Sequence, residues 1–344
     1  MSDIDLHYPH AVAPVAGETL EVAPGVLWLR MPMPFPPGHI NLWLLRDGEG
    51  WAVVDTGLAT VAVKDLWHQL LQRYRLTRLI CTHYHHDHAG LAGWLCQQAG
   101  IRLSMAQAEY QALQKAWQRG ADSEKEAGFY LAAGLPAASL AAAIDSFRDG
   151  DFIATPPASV TPLADGDVLA IGSHRWRVMT YAGHAPEHAL LYSATLGVLI
   201  AGDQLLPKIT PSVGLNAANR LSDPLGEWLA SMQALQNLPA STLVLPSHQL
   251  PFVGAASRAG QIARYHRQQL AKLSVLLQGP PASAYALAQA LFSRLGNPVA
   301  ELMAVSETLA HLRYLQLRGQ ASYALTAEGC QHWSAICCES TLQG

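Results

Sequence analysis

The sequence predicts an α+β fold in which two facing β-sheets are covered by helices. Strand-like apolar runs at 20–31, 39–46 and 51–55 open the chain, and an amphipathic stretch from Val61 to Tyr74 predicts a helix after them. The chain has 344 residues, of which 50% are hydrophobic and 14% are charged. This composition is typical of a globular protein with a sizeable packed core.

The most informative segment is 81–90, Cys-Thr-His-Tyr-His-His-Asp-His-Ala-Gly, which follows a short apolar run predicted to be a buried strand. Side chains alternate in an extended chain, so His83 and His85 point to the same side and can bind one metal ion. Tyr84 and His86 then point away. The backbone turns toward a helix at Asp87 and His88, which can therefore reach a second ion. Imidazole and carboxylate ligands favour zinc, although manganese and iron accept them too.

The pattern Thr82-His83-x-His85-x-Asp87-His88-x-Gly90 resembles the signature of the metallo-β-lactamase fold hydrolases. Four further motifs of that family follow the expected order in this sequence. The matched segments are Ala52-Val53-Val54-Asp55-Thr56-Gly57, Tyr181-Ala182-Gly183-His184-Ala185-Pro186-Glu187-His188, Ile200-Ala201-Gly202-Asp203 and Val244-Leu245-Pro246-Ser247-His248. The resemblance spans roughly residues 20 to 262 and implies a four-layer αββα sandwich.

The resemblance also implies a role for each matched residue. The first metal would be bound by His83, His85 and His184, and the second by Asp87, His88 and His248. Asp203 would bridge both ions, and Asp55 would orient ligands through hydrogen bonds. The strand pattern supports the three downstream ligands independently, because each follows a predicted strand, at Trp176–Tyr181, Val198–Ala201 and Thr242–Leu245. His188 is expected to have only a supporting role, and Ser247 stands where many relatives have glycine.

The predicted domain organisation is a catalytic domain at 1–262 and a C-terminal domain at 263–344. A helical insert at about 105–150 interrupts the first domain, either as a lid over the site or as a packing element. Three predicted helices and a terminal hairpin make the C-terminal region similar to the winged-helix tail of a subgroup that includes β-lactamase-like protein 2 and glyoxalase-II-like hydrolases. Its six Lys or Arg residues against four Glu favour packing or homodimer formation over nucleic-acid binding.

The predicted function is hydrolysis of a small-molecule thioester, ester or lactone by a hydroxide shared between two divalent metal ions, most simply zinc. Asp87 and Asp203 are the candidate catalytic carboxylates, since they can accept or relay a proton. One alternative is an endoribonuclease acting on single-stranded RNA. A second is a mononuclear iron persulfide dioxygenase, and a third is a catalytically silent regulator.

Lys208 follows the proposed bridging ligand by five residues and is a candidate for binding an anionic group of the substrate; the alternative is a solvated loop lysine. The N-terminal residues lack the features of a signal peptide, and no run of 18 apolar residues occurs. The five cysteines show no zinc-ribbon or C-x-x-C spacing, and the formal net charge is -4. A cytoplasmic protein without a membrane partner is therefore expected.

Overall fold

The structure is a computed structural model that describes residues 6–118, 123–148, 152–292 and 295–336. The chain divides into two compact units. The first unit comprises residues 1–121, 150–211 and 231–261, and the second comprises residues 122–149, 212–230 and 262–344. The predicted C-terminal domain starts at residue 263, and the last segment of the second unit starts at residue 262. The functional separation of the two domains stays a prediction.

The first unit contains two β-sheets. One has seven strands in sequential order: β1 (Thr19–Ala23), β2 (Val26–Pro32), β3 (His39–Asp47), β4 (Gly50–Val54), β5 (Leu76–Ile80), β6 (Leu103–Ala106) and β7 (Thr161–Leu163). The other has six strands in the order β13-β12-β11-β10-β9-β8: β8 (Val168–Ile171), β9 (His174–Tyr181), β10 (His188–Ser193), β11 (Val198–Gly202), β12 (Leu243–Pro246) and β13 (Phe252–Val253).

One apolar core joins side chains from both sheets, with Trp28 and Trp43 from the first sheet and Trp176 and Ile200 from the second. A second core lies on the other face of the seven-stranded sheet and includes Trp67. The helices that lie wholly in the first unit are α1 (Val61–Arg73), α2 (His86–Ala89), α3 (Ala92–Ala99) and α4 (Gln107–Gln118). The predicted architecture of two facing sheets covered by helices is confirmed.

The predicted strand at 20–31 is wrong in one respect, because it is two antiparallel strands. β1 ends at Ala23 and β2 begins at Val26, with the two strands paired to each other. The turn between them contains Pro24, which has no amide hydrogen for the sheet, and Gly25, which has a φ of 73°. Proline and glycine in succession are typical of a turn, so the Pro-Gly pair was the sequence signal for a hairpin.

Asp47 connects three parts of the first unit. Its Oδ2 accepts hydrogen bonds from Thr77 Oγ1 at 2.7 Å and Arg78 Nε at 3.0 Å, and its Oδ1 accepts one from the Gly172 amide at 3.0 Å. Burial raises the pKa of Asp47, but the hydrogen bonds from Thr77 and Gly172 and the charge of Arg78 outweigh it, so the pKa lies below its usual value. The carboxylate therefore stabilises the fold in its charged form.

We expect Asp47→Asn to lower the free energy of unfolding by about 1–2 kcal/mol at pH 7, because the amide accepts fewer hydrogen bonds and has no charge for Arg78. The native pKa of Asp47 is depressed, so its contribution is present above the unfolded-state value near 3.9 and is lost as the pH falls through the native value. Urea unfolding at several pH values measures this. The exposed substitution Asp65→Asn is the control, and a pH-independent difference would contradict the assignment.

The second unit contains most of the C-terminal region. The remaining helices are α5 (Ser123–Ala132), α6 (Ala137–Arg148), α7 (Pro224–Leu235), α8 (Ala255–Leu276), α9 (Ala284–Leu291) and α10 (Pro298–Leu317). The remaining strands are β14 (Ala282–Ser283), β15 (Ala321–Leu325) and β16 (Gln331–Ala335). Helices α7 and α8 each have residues in both units. The three strands form one sheet in the order β14-β16-β15. The C-terminal region thus contains three helices and a hairpin, and its winged-helix-like character stays a prediction.

The helices of the predicted insert at about 105–150 belong to different units. Helix α4 belongs to the first unit, whereas α5 and α6 belong to the second. Tyr130 and Leu140 from these two helices enter the same apolar core as Val305 and Leu309 of α10. The alternative of a packing element therefore describes α5 and α6. Among the helices that the structure describes, none combines the length and apolar character needed to cross a membrane.

Candidate metal centre

The H-x-H-x-D-H segment lies between the end of β5 and the short helix α2. His83 and His85 approach each other as their alternation predicted, with His83 Nε2 and His85 Nδ1 2.9 Å apart. The chain enters α2 at His86, so Asp87 and His88 lie on its first turn. The local geometry therefore places the four expected ligands of this segment on one strand-to-helix connection.

The remaining expected ligands come from the ends of three strands in the six-stranded sheet. His184 follows β9, Asp203 immediately follows β11, and His248 follows β12. The structure brings the seven residues together as two groups. Within each group, the ligand atoms lie within 4.8 Å of one another. The first group is His83, His85, His184 and Asp203, and the second is Asp87, His88 and His248.

Asp203 lies between the two groups. Its Oδ2 is 3.4 Å from His184 Nε2 and 3.6 Å from His88 Nε2, and its Oδ1 is 3.4 Å from His248 Nε2. Asp87 Oδ2 faces the second group, 3.4 Å from His248 Nε2 and 3.7 Å from His88 Nε2. Both carboxylates are almost completely buried, which makes their charge costly unless a cation is close.

Hydrogen bonds determine which nitrogen of two histidines faces these carboxylates. His88 Nδ1 lies 2.8 Å from Asp55 Oδ2, and His248 Nδ1 lies 2.9 Å from the backbone oxygen of His39. Each Nδ1 must donate to its oxygen, so in the neutral imidazoles Nε2 carries a lone pair. His88 Nε2 is buried and has no hydrogen-bond partner. Lone pairs and carboxylates that face each other in a buried space fit a metal cation, and this fit does not depend on the family resemblance.

Asp55 occupies the position expected for an orienting residue. It has a φ of 64°, which is uncommon for a residue other than glycine, and its side chain is buried. Its Oδ1 accepts the Thr82 amide at 2.7 Å, while its Oδ2 accepts from Thr82 Oγ1 at 2.9 Å and His88 Nδ1 at 2.8 Å. The Asp55 carboxylate therefore holds both Thr82, at the start of the ligand-bearing segment, and the ring of His88.

The surroundings of the site shift the pKa values of its carboxylates and imidazoles, and the direction of the shift differs among the imidazoles. Burial raises the pKa of Asp203, but His248 and His88 outweigh it and hold the pKa well below its usual value. Burial lowers the pKa of His83 well below its usual value, and the neighbouring histidines lower it further. Burial also lowers the pKa of His88, but Asp87 and Asp55 reverse the effect and raise the pKa well above its usual value. Metal ions bind carboxylates in the ionised form and imidazoles in the neutral form, and the pKa shifts of Asp203 and His83 favour these forms.

Glu109 is a residue that the sequence interpretation missed. It lies on α4 and is completely buried. Its Oε2 accepts the Tyr84 amide at 2.9 Å, and its Oε1 accepts the Glu187 amide at 2.6 Å. Burial raises the pKa of Glu109 to about 7, although both amide hydrogen bonds oppose that shift. Glu109 thus connects the loops that carry His85 and His184, and a single acidic residue on an amphipathic helix gave no signal for this.

Asn41 is a second residue that was missed. Its side-chain nitrogen donates to the backbone oxygens of Pro246 at 2.9 Å and Gln249 at 2.8 Å, on either side of His248. It lies on β3 in the other sheet and is completely buried. A polar residue inside an otherwise apolar strand was the available signal, because a buried amide requires hydrogen-bond partners.

His188 has the kind of supporting position that was expected. Its Nε2 accepts the Asp203 amide at 3.1 Å, and its ring stacks on that of His83 at a centroid distance of 4.5 Å. A side chain at position 202 would collide with the His188 ring, and Gly202 has a φ of 51°. Glycine at this position therefore permits the strand to turn at the carboxylate.

The residues expected to point away do not belong to either group. His86 packs against two aromatic rings, Phe35 and Phe152, each at a centroid distance of 5.8 Å. Tyr84 has its ring 4.5 Å from that of His85, and it contributes its amide to Glu109. Lys208 is exposed on the loop after β11, and its amide donates to Gln249 Oε1 at 2.9 Å.

A family model decides the identity of this fold and site. The model for the metallo-beta-lactamase superfamily matches residues 35–248, which is more than half of the chain and includes the seven clustered residues. The chain belongs to the metallo-beta-lactamase superfamily. It is therefore a metal-dependent hydrolase-type enzyme with the αββα sandwich, and its two His/Asp groups are able to bind metal ions. The resemblance noted in the sequence is confirmed.

Solved superfamily structures are similar over nearly the whole chain. A beta-lactamase domain protein from Burkholderia ambifaria has a TM-score of 0.89 and 36% sequence identity, covering 96% of this chain and 98% of that one. The superfamily protein TTHA1429 from Thermus thermophilus has a TM-score of 0.79 and 31% identity, covering 92% of this chain and all of that one. The similarity therefore includes the C-terminal region as well as the sandwich.

Curated superfamily relatives carry hydrolase names. The probable metallo-hydrolase YqjP from Bacillus subtilis (strain 168) is 25% identical over 85% of this chain and 92% of that protein. The acyl-coenzyme A thioesterase MBLAC2 from Bos taurus is 28% identical over 52% of this chain and 63% of that protein. A hydroxyacylglutathione hydrolase from Cereibacter sphaeroides (strain ATCC 17025 / ATH 2.4.3) is 26% identical over 60% of this chain and 64% of that protein.

Proposed function

We propose that this protein hydrolyses thioesters, with esters and lactones as related substrates, at a centre of two divalent metal ions. His83, His85 and His184 would hold the first ion and Asp87, His88 and His248 the second, with Asp203 shared. The observation that carries the proposal is the position of Asp203, whose two oxygens face histidines of different groups at 3.4 Å. Zinc suits these ligands best, and manganese and iron accept them.

When bound, two adjacent divalent ions lower the pKa of a shared water toward about 7 and polarise the substrate carbonyl. The protein residues then have separate tasks. Asp55 and the His39 carbonyl keep the Nε2 atoms of His88 and His248 directed at the site. Asp87 and Asp203 would accept or relay the proton that the attacking water loses.

Cys81, which precedes the H-x-H-x-D-H segment, is a poor alternative to water as the nucleophile. Cys81 is completely buried, and burial together with the charge of Asp55 raises the pKa of its thiol well above the usual value. A thiol in that state supplies little of the reactive thiolate. Activated water is therefore the better nucleophile for this site.

Thioesters are favoured among the carbonyl substrates for a chemical reason. Their leaving group is a thiolate whose conjugate thiol has a pKa near 8.5, so it departs with less help from an acid than an alcohol does. The names of the bovine thioesterase and of the hydroxyacylglutathione hydrolase support the same class. A formal net charge of -4 gives no general attraction to RNA, and the second ligand group argues against a mononuclear iron oxygenase.

The test is an activity screen of protein reconstituted with zinc, manganese or iron. We expect hydrolysis of acyl-coenzyme A or hydroxyacylglutathione thioesters with kcat/KM above about 10⁴ M⁻¹s⁻¹, and slower hydrolysis of matched oxygen esters. Chelation should abolish the activity and a divalent ion should restore it. Cleavage of single-stranded RNA without thioester hydrolysis would overturn the proposal, as would oxygen consumption with a persulfide by protein holding iron.

Lys208 tests whether the substrate carries an anionic group. Its loop is held by Arg258, which donates to the backbone oxygens of Leu206 at 2.6 Å and Ile209 at 2.7 Å. Lys208→Ala should raise KM for anionic thioesters by about 3- to 10-fold with little change in kcat, because a lost ground-state contact affects substrate and transition state alike. Neutral thioesters serve as the control. Equal effects on both substrates, or no effect, would return Lys208 to a solvated loop lysine.

A further inference from the structure

A third group of metal-type ligands lies in the second unit, among residues that have no part in the proposed centre. It consists of His266, Glu307 and His311, whose ligand atoms lie within 4.8 Å of one another. Glu307 and His311 are four residues apart on α10, so they share one face of that helix. His266 comes from α8, and its Nδ1 is 3.3 Å from His311 Nε2. We call these three residues the second-unit cluster.

The two histidines of the cluster are buried, and Glu307 is partly exposed. His266 is 0% exposed and His311 is 1% exposed. The Nε2 atom of His266 is buried and has no hydrogen-bond partner. Two imidazoles and a carboxyl group in such a place are costly as ordinary core residues, because apolar side chains of similar size would leave no polar atom unsatisfied.

The orientation of His311 is also that of a metal ligand. Its Nδ1 lies 2.7 Å from the backbone oxygen of Glu307 and must donate to it, so the Nε2 of the neutral ring presents a lone pair toward His266. Metal-binding histidines commonly use the other ring nitrogen in this way. Burial lowers the pKa of His266 to about 3 and of His311 to about 4, so both rings are in the neutral form that binds metals.

Groups around the carboxylate complete the arrangement. The Tyr265 hydroxyl lies 3.5 Å from Glu307 Oε1, and Gln269 Nε2 lies 3.3 Å from the same hydroxyl. The Tyr265 contact orients the carboxyl group from α8. Two imidazoles and one carboxylate form a donor set that zinc accepts in tetrahedral sites, with the fourth position left to water.

We propose that His266, Glu307 and His311 bind a divalent transition-metal ion, best suited to zinc, that cross-links α8 and α10 within the second unit. This ion is additional to the two of the proposed catalytic centre and uses none of their ligands. Its role is structural, because it ties together residues more than 40 positions apart in the chain.

The test compares the metal content of full-length proteins after dialysis against a weak chelator. His311→Gln removes one ligand, and His332→Gln is the matched control on β16, outside the cluster. We expect His311→Gln to hold one equivalent of zinc fewer than the wild type and His332→Gln to hold the same amount. Circular dichroism establishes whether each variant is folded.

Glu307→Gln is the second cluster variant, since it keeps the size of the side chain and decides the question if His311→Gln does not fold. Zinc added to chelator-treated wild type should raise the melting temperature more than it does in either cluster variant. Equal zinc content in the wild type and the folded cluster variants would show that the three residues are a buried polar contact and would overturn the proposal. Hydrolytic activity is not the readout, so the result does not depend on the proposed function.

Discussion

Asp203→Asn should reduce hydrolysis by about 10³-fold or more, which corresponds to roughly 4 kcal/mol of lost transition-state stabilisation. The carboxylate lies between His184 and His248, and an amide would remove both its charge and one of the two oxygens that face these residues. We expect kcat to carry most of the loss, because the proposed pair of ions would act on the reaction rather than on substrate binding.

The fold should survive this substitution, since asparagine has nearly the same size and Ser247 Oγ can still donate to its remaining oxygen. Steady-state kinetics, metal analysis and thermal melting are measured on the same preparation. His86→Gln is the control, because His86 packs against Phe35 and Phe152 and belongs to neither ligand group. Near-normal turnover by Asp203→Asn with its metals retained would disprove the bridging role.

The second large effect is expected at Asp55. In Asp55→Asn the side-chain nitrogen cannot accept the hydrogen bond from His88 Nδ1, which lies 2.8 Å from the native Oδ2. His88 then loses the partner that directs its Nε2 toward the site. We expect about 10- to 100-fold lower activity or metal affinity, which is typical when a residue that orients a ligand is replaced.

Asparagine tolerates the positive φ of 64° at this position, so Asp55→Asn separates the hydrogen bond from backbone strain. Asp65→Asn, an exposed change of the same chemistry on α1, provides the comparison. A metal titration with activity measured at each step distinguishes weak binding of the second ion from a slower reaction. The role assigned to Asp55 would be excluded if the variant matched the wild type in both.

Local patterns were sufficient for much of the fold. The periodicity of apolar residues predicted the strands at 39–46 and 51–55 and helix α1, since each of these signals lies within about a dozen neighbouring residues. The prediction was wrong where a strand was drawn through Pro24 and Gly25.

The site shows the same division. Four expected ligands occur within six residues, so their spacing alone predicted that His83 and His85 would meet. Glu109 and Asn41 could not be found this way, because each acts on loops that are far away in the chain. Their importance arises from burial, which requires each to find hydrogen-bond partners wherever the fold supplies them.

The sequence by itself determined the superfamily, the seven candidate ligands and the αββα architecture, because each rests on residue types at short or fixed spacing. Only the tertiary structure decided that Asp203 lies between the two ligand groups, that α5 and α6 pack in the second unit, and that His266 meets His311. These facts depend on which strand ends and helix faces come together in space. That outcome is set by packing of the whole chain, which no short segment encodes.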